Sequence, residues 1–241
     1  MQEDLDIILP VHNERETIEG VLQEWTESLS ALGLYYRFII CEDGSTDGTK
    51  ELLTNIATKY SIVFSQKAER RGYGRAVMDG IQAATAKYVL CIDSDGQCDP
   101  QDFVSFWRMR DVANVLIGWR TVRADSPARK LYSLMFKTVF YLLFPTKIHD
   151  PSAPYVLFEK NTVIPYLIYL GYLQEGFWWG FVGTCMKVGL TINEIPIHHR
   201  LRKSGKTQVY TLKKIPSIAV RNIVGLLRLR FSTPITSAEV S

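Results

Sequence analysis

Short apolar runs alternate along the first half of the chain with segments in which apolar residues recur every three or four positions. Residues 5–11 are apolar almost throughout, the pattern of a strand buried on both faces. Ile18, Val21, Leu22, Trp25, Leu29 and Leu32 then follow helical spacing. A second strand is predicted at 36–41 and a second helix within "STDGTKELLTNIATKY", with Ser45 or Thr46 as its cap. A third strand at 62–65, a third helix at 74–86 and a fourth strand at 88–93 continue the series. Such alternation predicts an α/β fold with a parallel sheet, helices on both faces and ligands at the carboxyl ends of the strands.

Beyond Asp102 the pattern predicts a strand at 114–119 that ends in Arg120, then an apolar helix at 129–144 that Pro145 stops. A Pro-interrupted turn at 150–154, a strand-like 155–158, an aromatic run at 177–181, a strand at 190–198 and a basic loop come next. A final amphipathic helix is expected at 211–231, with Lys214, Arg221 and Arg228 on one face opposite Ile215, Ala219, Ile223 and Leu226. The helix in "KLYSLMFKTVFYLLF" is apolar and aromatic on nearly every side, with Lys137 its one interior charge. This helix is either core or interfacial, and the final helix either lies on a surface or packs on the domain or a second copy. Aromatic content in the one and basic residues in the other favour a membrane surface. We divide the chain into one domain at 1–208, which includes the helix at 129–144, and a basic helix with a tail at 209–241.

Composition narrows the classes. A chain of 241 residues with 46% apolar and 22% charged residues is neither disordered nor uniformly membrane-embedded. A net charge of +3 is too small for a protein that coats nucleic acid, and no nucleic-acid partner is expected. Cys41, Cys91, Cys98 and Cys185 form no CxxC pair and read as free thiols in a reducing compartment. The acidic start and the short apolar run at 7–11 do not make a signal peptide, and no stretch approaches the roughly 20 apolar residues of a span. The expected location is cytoplasmic and peripheral, on the cytoplasmic face of a membrane.

The chemistry concentrates in three acidic turns. "HNE" follows the first strand, "EDGSTD" the second and "DSDGQCD" the fourth, so the parallel sheet brings them to one edge. Asp93, Ser94, Asp95, Gly96 and Gln97 put two carboxylates and a carboxamide in a tight turn. These hard oxygen ligands suit Mg²⁺ or Mn²⁺, which keep positions open for substrate phosphates. Asp43, at the end of the second strand, can accept the N–H groups of a nucleotide base. "RRGYGRA" lacks the third glycine of a dinucleotide fingerprint, with Val77 in its place, which argues against hydride transfer.

In this order, "LPVHNE", "EDGSTDGT", "DSDGQ" and "EIPIHHRLRKSGKTQ" resemble glycosyltransferase family 2, and in particular its polyprenyl-phosphate branch, over residues 5–208. The resemblance implies a GT-A-like fold and an inverting enzyme that takes a nucleotide sugar as donor and a polyprenyl or dolichyl phosphate as acceptor. It implies that Pro10, His12, Glu14 and Ser94 line the nucleotide sugar and that Asp43 contacts the base. Asp93 would meet the sugar side, while Asp95 and Gln97 would hold Mg²⁺ or Mn²⁺. Arg120, Arg129 and Ser133 would serve the acceptor phosphate, and Arg202 the donor phosphates. The chain departs from the family pattern at His12, where Tyr is common, at Gln208 in place of Lys, and at Val156 in place of Arg.

A phosphate acceptor needs cations to place it and no general base, being largely ionised near neutrality with a second pKa of about 6. A hydroxyl acceptor would need a carboxylate base, for which Asp150 and Glu175 are the candidates. A binding protein without turnover is a third alternative, against which the intact Asp93, Asp95 and Gln97 argue.

Overall fold

The computed structural model describes residues 3–121, 127–173, 175–201 and 215–233, with backbone alone at 127–133 and 215. Seven strands form one sheet: β1 (Leu5–Val11), β2 (Tyr36–Glu42), β3 (Ile62–Phe64), β4 (Tyr88–Cys91), β5 (Val115–Arg120), β6 (Val156–Glu159) and β7 (Ile192–Ile197). Their order is β3-β2-β1-β4-β6-β5-β7. β1 pairs in parallel with β2 and β4, and β5 with β7, while β6 runs antiparallel between β4 and β5. One reversed strand keeps β5 and β7 aligned with β1, so six strands end on the same edge. The expected α/β sheet is therefore present, and mostly parallel. Pro10, which has no N–H to donate, lies past Ile8, the last β1 residue in register with β4.

Both faces are covered. α1 (Ile18–Ala31), α2 (Thr49–Ile56) and α4 (Phe103–Met109) bury Trp25, Leu29, Leu53, Phe103 and Phe106 against Leu5, Ile7 and Leu9. The other face carries α3 (Tyr73–Ala83), α5 (Pro127–Leu143), the single turns α6 (Lys160–Val163) and α7 (Leu167–Leu170), α8 (Phe177–Lys187) and α9 (Ile215–Phe231). Leu226 and Leu229 of α9 are fully buried with Phe140 of α5, so the last described helix shares the core of the sheet domain.

α3 sits close on the sheet. A Cβ added at Gly80 would lie 2.6 Å from Ile8 Cγ2 and 2.8 Å from Cys41 Sγ. Ile8 is β-branched within a central strand and has little room to give. We predict that Gly80→Ala lowers stability by about 1–3 kcal/mol through overpacking, despite alanine's better helix propensity. Thermal unfolding checks this, and an unchanged or raised midpoint would show that the sheet yields.

Two expectations need correction. α2 begins at Thr49 after Gly48 in a left-handed conformation (φ 89°), not at Ser45 or Thr46. Those two residues bond to Asn13 instead, and Asp47 Oδ1 accepts from the Thr49 amide at 3.0 Å, taking the capping role. The last helix also differs from a simple basic and apolar pair of faces. Ile218, Asn222, Leu226 and Leu229 are buried, whereas Val220, Val224, Leu227 and Phe231 form a second apolar stripe that faces outward.

Candidate active site

The acidic turns after β1, β2 and β4 meet at one edge, stitched together by main-chain and side-chain bonds. The Asn13 amide donates to Ser45 Oγ at 3.0 Å and the Glu14 amide to Thr49 Oγ1 at 3.0 Å, which joins the first turn to the second. The Glu14 carboxylate accepts from Thr17 Oγ1 at 2.8 Å. Ser94 Oγ donates to the Pro10 carbonyl at 2.8 Å, which ties the third turn to the first. Pro10 and Ser94 are both buried, so they shape the donor side of the edge, and the Ser94 hydroxyl hydrogen is engaged within the fold rather than free for a donor.

Asp43 is nearly buried and holds a loop. Its Oδ1 accepts from the Arg71 amide at 2.7 Å and its Oδ2 from the Gly72 amide at 2.8 Å. Each oxygen retains a second lone pair, so a base contact there would be shared with the loop. Gly44, at φ 72°, lets this loop approach: a Cβ would stand 2.8 Å from the Arg70 nitrogen. Beside them His12 Nδ1 is buried with no hydrogen-bond partner among the described residues. Burial and the Arg70 charge push the His12 imidazole below its ordinary pKa, against the opposing pull of Asp43 and Glu42, which favours a neutral ring.

In the third turn Asp95 is buried, and its Oδ1 accepts from the Gln97 amide at 3.1 Å across Gly96, which stands at φ 77°. Half-buried Asp93 accepts at Oδ1 from Tyr73 Oη at 2.7 Å. Burial, then the Asp93 charge, push the Tyr73 phenol well above its ordinary pKa, so it keeps its proton. The segment after β7 closes over this turn. Cys98 and His199 form an antiparallel bridge, the Arg200 amide donates to the Gln97 carbonyl at 3.0 Å, and Gln97 Nε2 donates to the Arg200 carbonyl at 3.1 Å. The Arg200 guanidinium is held by Asp99 at 2.6 Å and Glu24 at 2.9 Å, and the His198 amide and Nδ1 both meet Asp102 at 2.7 Å.

These contacts bring His199 to the metal turn, its Nε2 3.2 Å from Gln97 Nε2. An amide NH₂ only donates, so the imidazole nitrogen accepts and carries a lone pair. The sequence reading did not single out His199; the signal was a histidine two residues past a strand that ends at the acidic edge. Asp95 and Gln97 offer hard oxygen ligands for a divalent cation that would complete its shell on phosphates, and His199 would add a nitrogen by giving up its bond to Gln97. No cage of three or more His, Cys, Asp or Glu occurs among the described residues.

A family model described as Glycosyl transferase family 2 matches residues 6–164. The chain belongs to this family. The fold agrees with solved structures of glycosyltransferases. One is glucosyl-3-phosphoglycerate synthase from Mycobacterium tuberculosis in complex with Mn²⁺, UDP and glucosyl-3-phosphoglycerate, at 19% identity over 97% of this chain and 82% of that one, with a TM-score of 0.67. Another complex of that synthase holds Mn²⁺, UDP-glucose and phosphoglyceric acid, at 18% identity over 97% and 81% with a TM-score of 0.66. Mannosyl-3-phosphoglycerate synthase from Rubrobacter xylanophilus is similar at 13% identity over 98% and 78%, with a TM-score of 0.65.

Of the cations that the resemblance assigns to the acceptor phosphate, the structure engages Arg120 elsewhere. The arginine of this glycosyltransferase meets Asp150 through Nε at 2.7 Å and Nη2 at 2.9 Å, and Ser152 Oγ through Nη2 at 2.8 Å. Both partners are largely buried, at 11% and 6% side-chain exposure, so in this structure the Arg120 guanidinium is held in an ion pair with Asp150. Arg129 and Ser133 fall in the first turns of α5, but their side chains lie outside the described residues, as do Arg202 and Gln208 altogether.

Proposed function

We propose that this family 2 glycosyltransferase moves a sugar, with inversion, from a GDP- or UDP-linked donor to a polyprenyl phosphate at the cytoplasmic face of a membrane. Asp95, Gln97 and His199 would hold Mg²⁺ or Mn²⁺, which supplies charge to the departing nucleoside diphosphate. His12 and the loop held by Asp43 would take the base. A phosphate acceptor suits the site because both carboxylates that could serve a hydroxyl as base stand in ion pairs. Asp150 is bound to Arg120, and Glu175 accepts from Arg221 Nε at 3.1 Å and Nη2 at 2.5 Å.

The single observation that carries the lipid part is the outward apolar surface of two adjacent helices. Leu142 of α5 is 78% exposed and Phe231 of α9 is 77% exposed, with Leu134, Met135, Val220, Val224 and Leu227 also exposed and Arg221 and Arg228 alongside. Soluble surfaces rarely leave such a stripe open, and basic residues beside it suit anionic lipid. No described helix is long and apolar enough to cross a membrane.

A second reading, a small soluble phosphorylated acceptor, is favoured by the likeness to the synthase that holds phosphoglyceric acid. A panel of nucleotide sugars with Mn²⁺, offered polyprenyl phosphate in detergent or 3-phosphoglycerate, decides between them. We expect transfer to the lipid phosphate. Transfer to phosphoglycerate alone would select the second reading, and transfer only to a sugar hydroxyl would overturn both. Arg129→Ala should slow lipid transfer by roughly ten- to 150-fold, the loss of one charge-assisted contact, with nucleotide affinity retained.

A further inference from the structure

A chain of two hydrogen bonds runs from the aromatic core to the metal turn. Trp178, on α8, is 6% exposed and packs against Phe177 and Phe181 at ring separations of 5.0 and 5.4 Å. Its Nε1 donates to Tyr73 Oη at 2.8 Å, and Tyr73 Oη donates to Asp93 Oδ1 at 2.7 Å. An indole N–H has no acceptor capacity, so the phenol oxygen must accept from Trp178. The one phenol hydrogen is thereby directed at Asp93, and the two bonds polarise in the same sense. Tyr73 is the first residue of α3, directly after Gly72, whose amide Asp43 holds. The phenol is thus anchored from the base-side loop and from α8, and it reaches the one carboxylate of the metal turn that the resemblance sets against the sugar.

We infer that Tyr73 and Trp178 are positioning residues for the transfer reaction: the indole orients the phenol, and the phenol fixes the rotamer of Asp93 toward the donor sugar. The inference rests on the reading of this site as a nucleotide-sugar transferase. Packing alone does not call for the hydroxyl, because phenylalanine would fill the same space beside Phe177. The hydroxyl instead fixes one oxygen of Asp93 before substrate arrives, the preorganisation that lowers a barrier without tightening ground-state binding.

The test uses the full chain, Mn²⁺ and whichever nucleotide sugar the wild type turns over. Tyr73→Phe should lower kcat by about tenfold, the low end expected for losing a hydrogen bond to a charged group. KM and nucleoside diphosphate affinity should hold, while the melting temperature falls by a few degrees because the buried Trp178 N–H loses its acceptor. Trp178→Phe should give a smaller fall in kcat, and the double variant should be no slower than Tyr73→Phe, because the indole acts only through the phenol. A merely structural role would give additive losses that track the melting temperature, and that result overturns the proposal. If Trp178→Phe loosens the aromatic core, Tyr73→Phe alone decides. A Tyr73→Phe enzyme with wild-type kcat overturns this inference and leaves the transferase reading standing. A wild type that turns over no nucleotide sugar overturns both.

Discussion

Replacing Asp95 by alanine removes metal-dependent turnover while the chain still folds. Asp95 is the buried carboxylate of the turn, its neighbour Gln97 supplies a carboxamide, and the His199 imidazole lies against Gln97. A Mg²⁺ or Mn²⁺ ion held through one or two carboxylates and substrate phosphates loses its main protein charge when that carboxylate goes. Metal stabilisation of a leaving diphosphate is worth several kcal/mol, and each 1.36 kcal/mol is about tenfold in rate, so a fall of roughly 10²- to 10⁴-fold is expected. Turnover measured across a Mn²⁺ titration, with Mn²⁺ binding followed by calorimetry in the presence of nucleoside diphosphate, checks both halves. The fold should survive because the turn keeps its ties to the segment after β7, through the Gln97 carbonyl and side chain, both bound to Arg200. Wild-type turnover by the variant, or by the native chain in excess chelator, would remove the metal from the mechanism.

The sheet was legible as far as its alternation was simple. Leu5, Ile7 and Leu9 face one layer and Ile8 the other, so the first strands and their helices announce a doubly covered sheet. The reversal of β6 was not legible, because a short strand buried on both faces reads the same in either direction. Nor was the type of the aromatic run. In α8, Phe177, Trp178, Gly180, Phe181, Val182, Gly183, Thr184 and Cys185 are all buried, and a helix buried all round has no polar face to mark its period.

The candidate site divides in the same way. Residues delivered by strand ends, such as Asp43, Asp93 and Asp95, could be placed at one edge from topology alone. What each side chain bonds to could not. Asp43 reads from sequence as a free acceptor, yet its two oxygens hold amides 28 and 29 residues away. His199 reaches the metal turn through an antiparallel bridge to Cys98, a pairing between segments about a hundred residues apart that no local pattern signals. The resemblance made Arg120 an acceptor cation by matching it to the arginine after the fifth strand, and that position equally suits a buried partner for the turn that enters β6.

That alternative makes a separate prediction. Removing the Arg120 guanidinium takes two hydrogen bonds from Asp150 and one from Ser152 in a site where both ions were largely excluded from water. Removing one partner of a buried pair typically costs about 3–5 kcal/mol, and for a chain of this size each kcal/mol lowers the melting temperature by about 2–4 °C. Arg120→Ala should therefore melt roughly 6–20 °C below the wild type. The double change Arg120→Met with Asp150→Leu should recover much of that loss, since apolar groups of similar size take both charges out of the buried site. Denaturant titration of the four proteins gives the coupling directly. If Arg120→Ala instead melts with the wild type and loses only sugar transfer, the guanidinium serves the acceptor phosphate after all, and the bidentate contact with Asp150 is one that the substrate breaks.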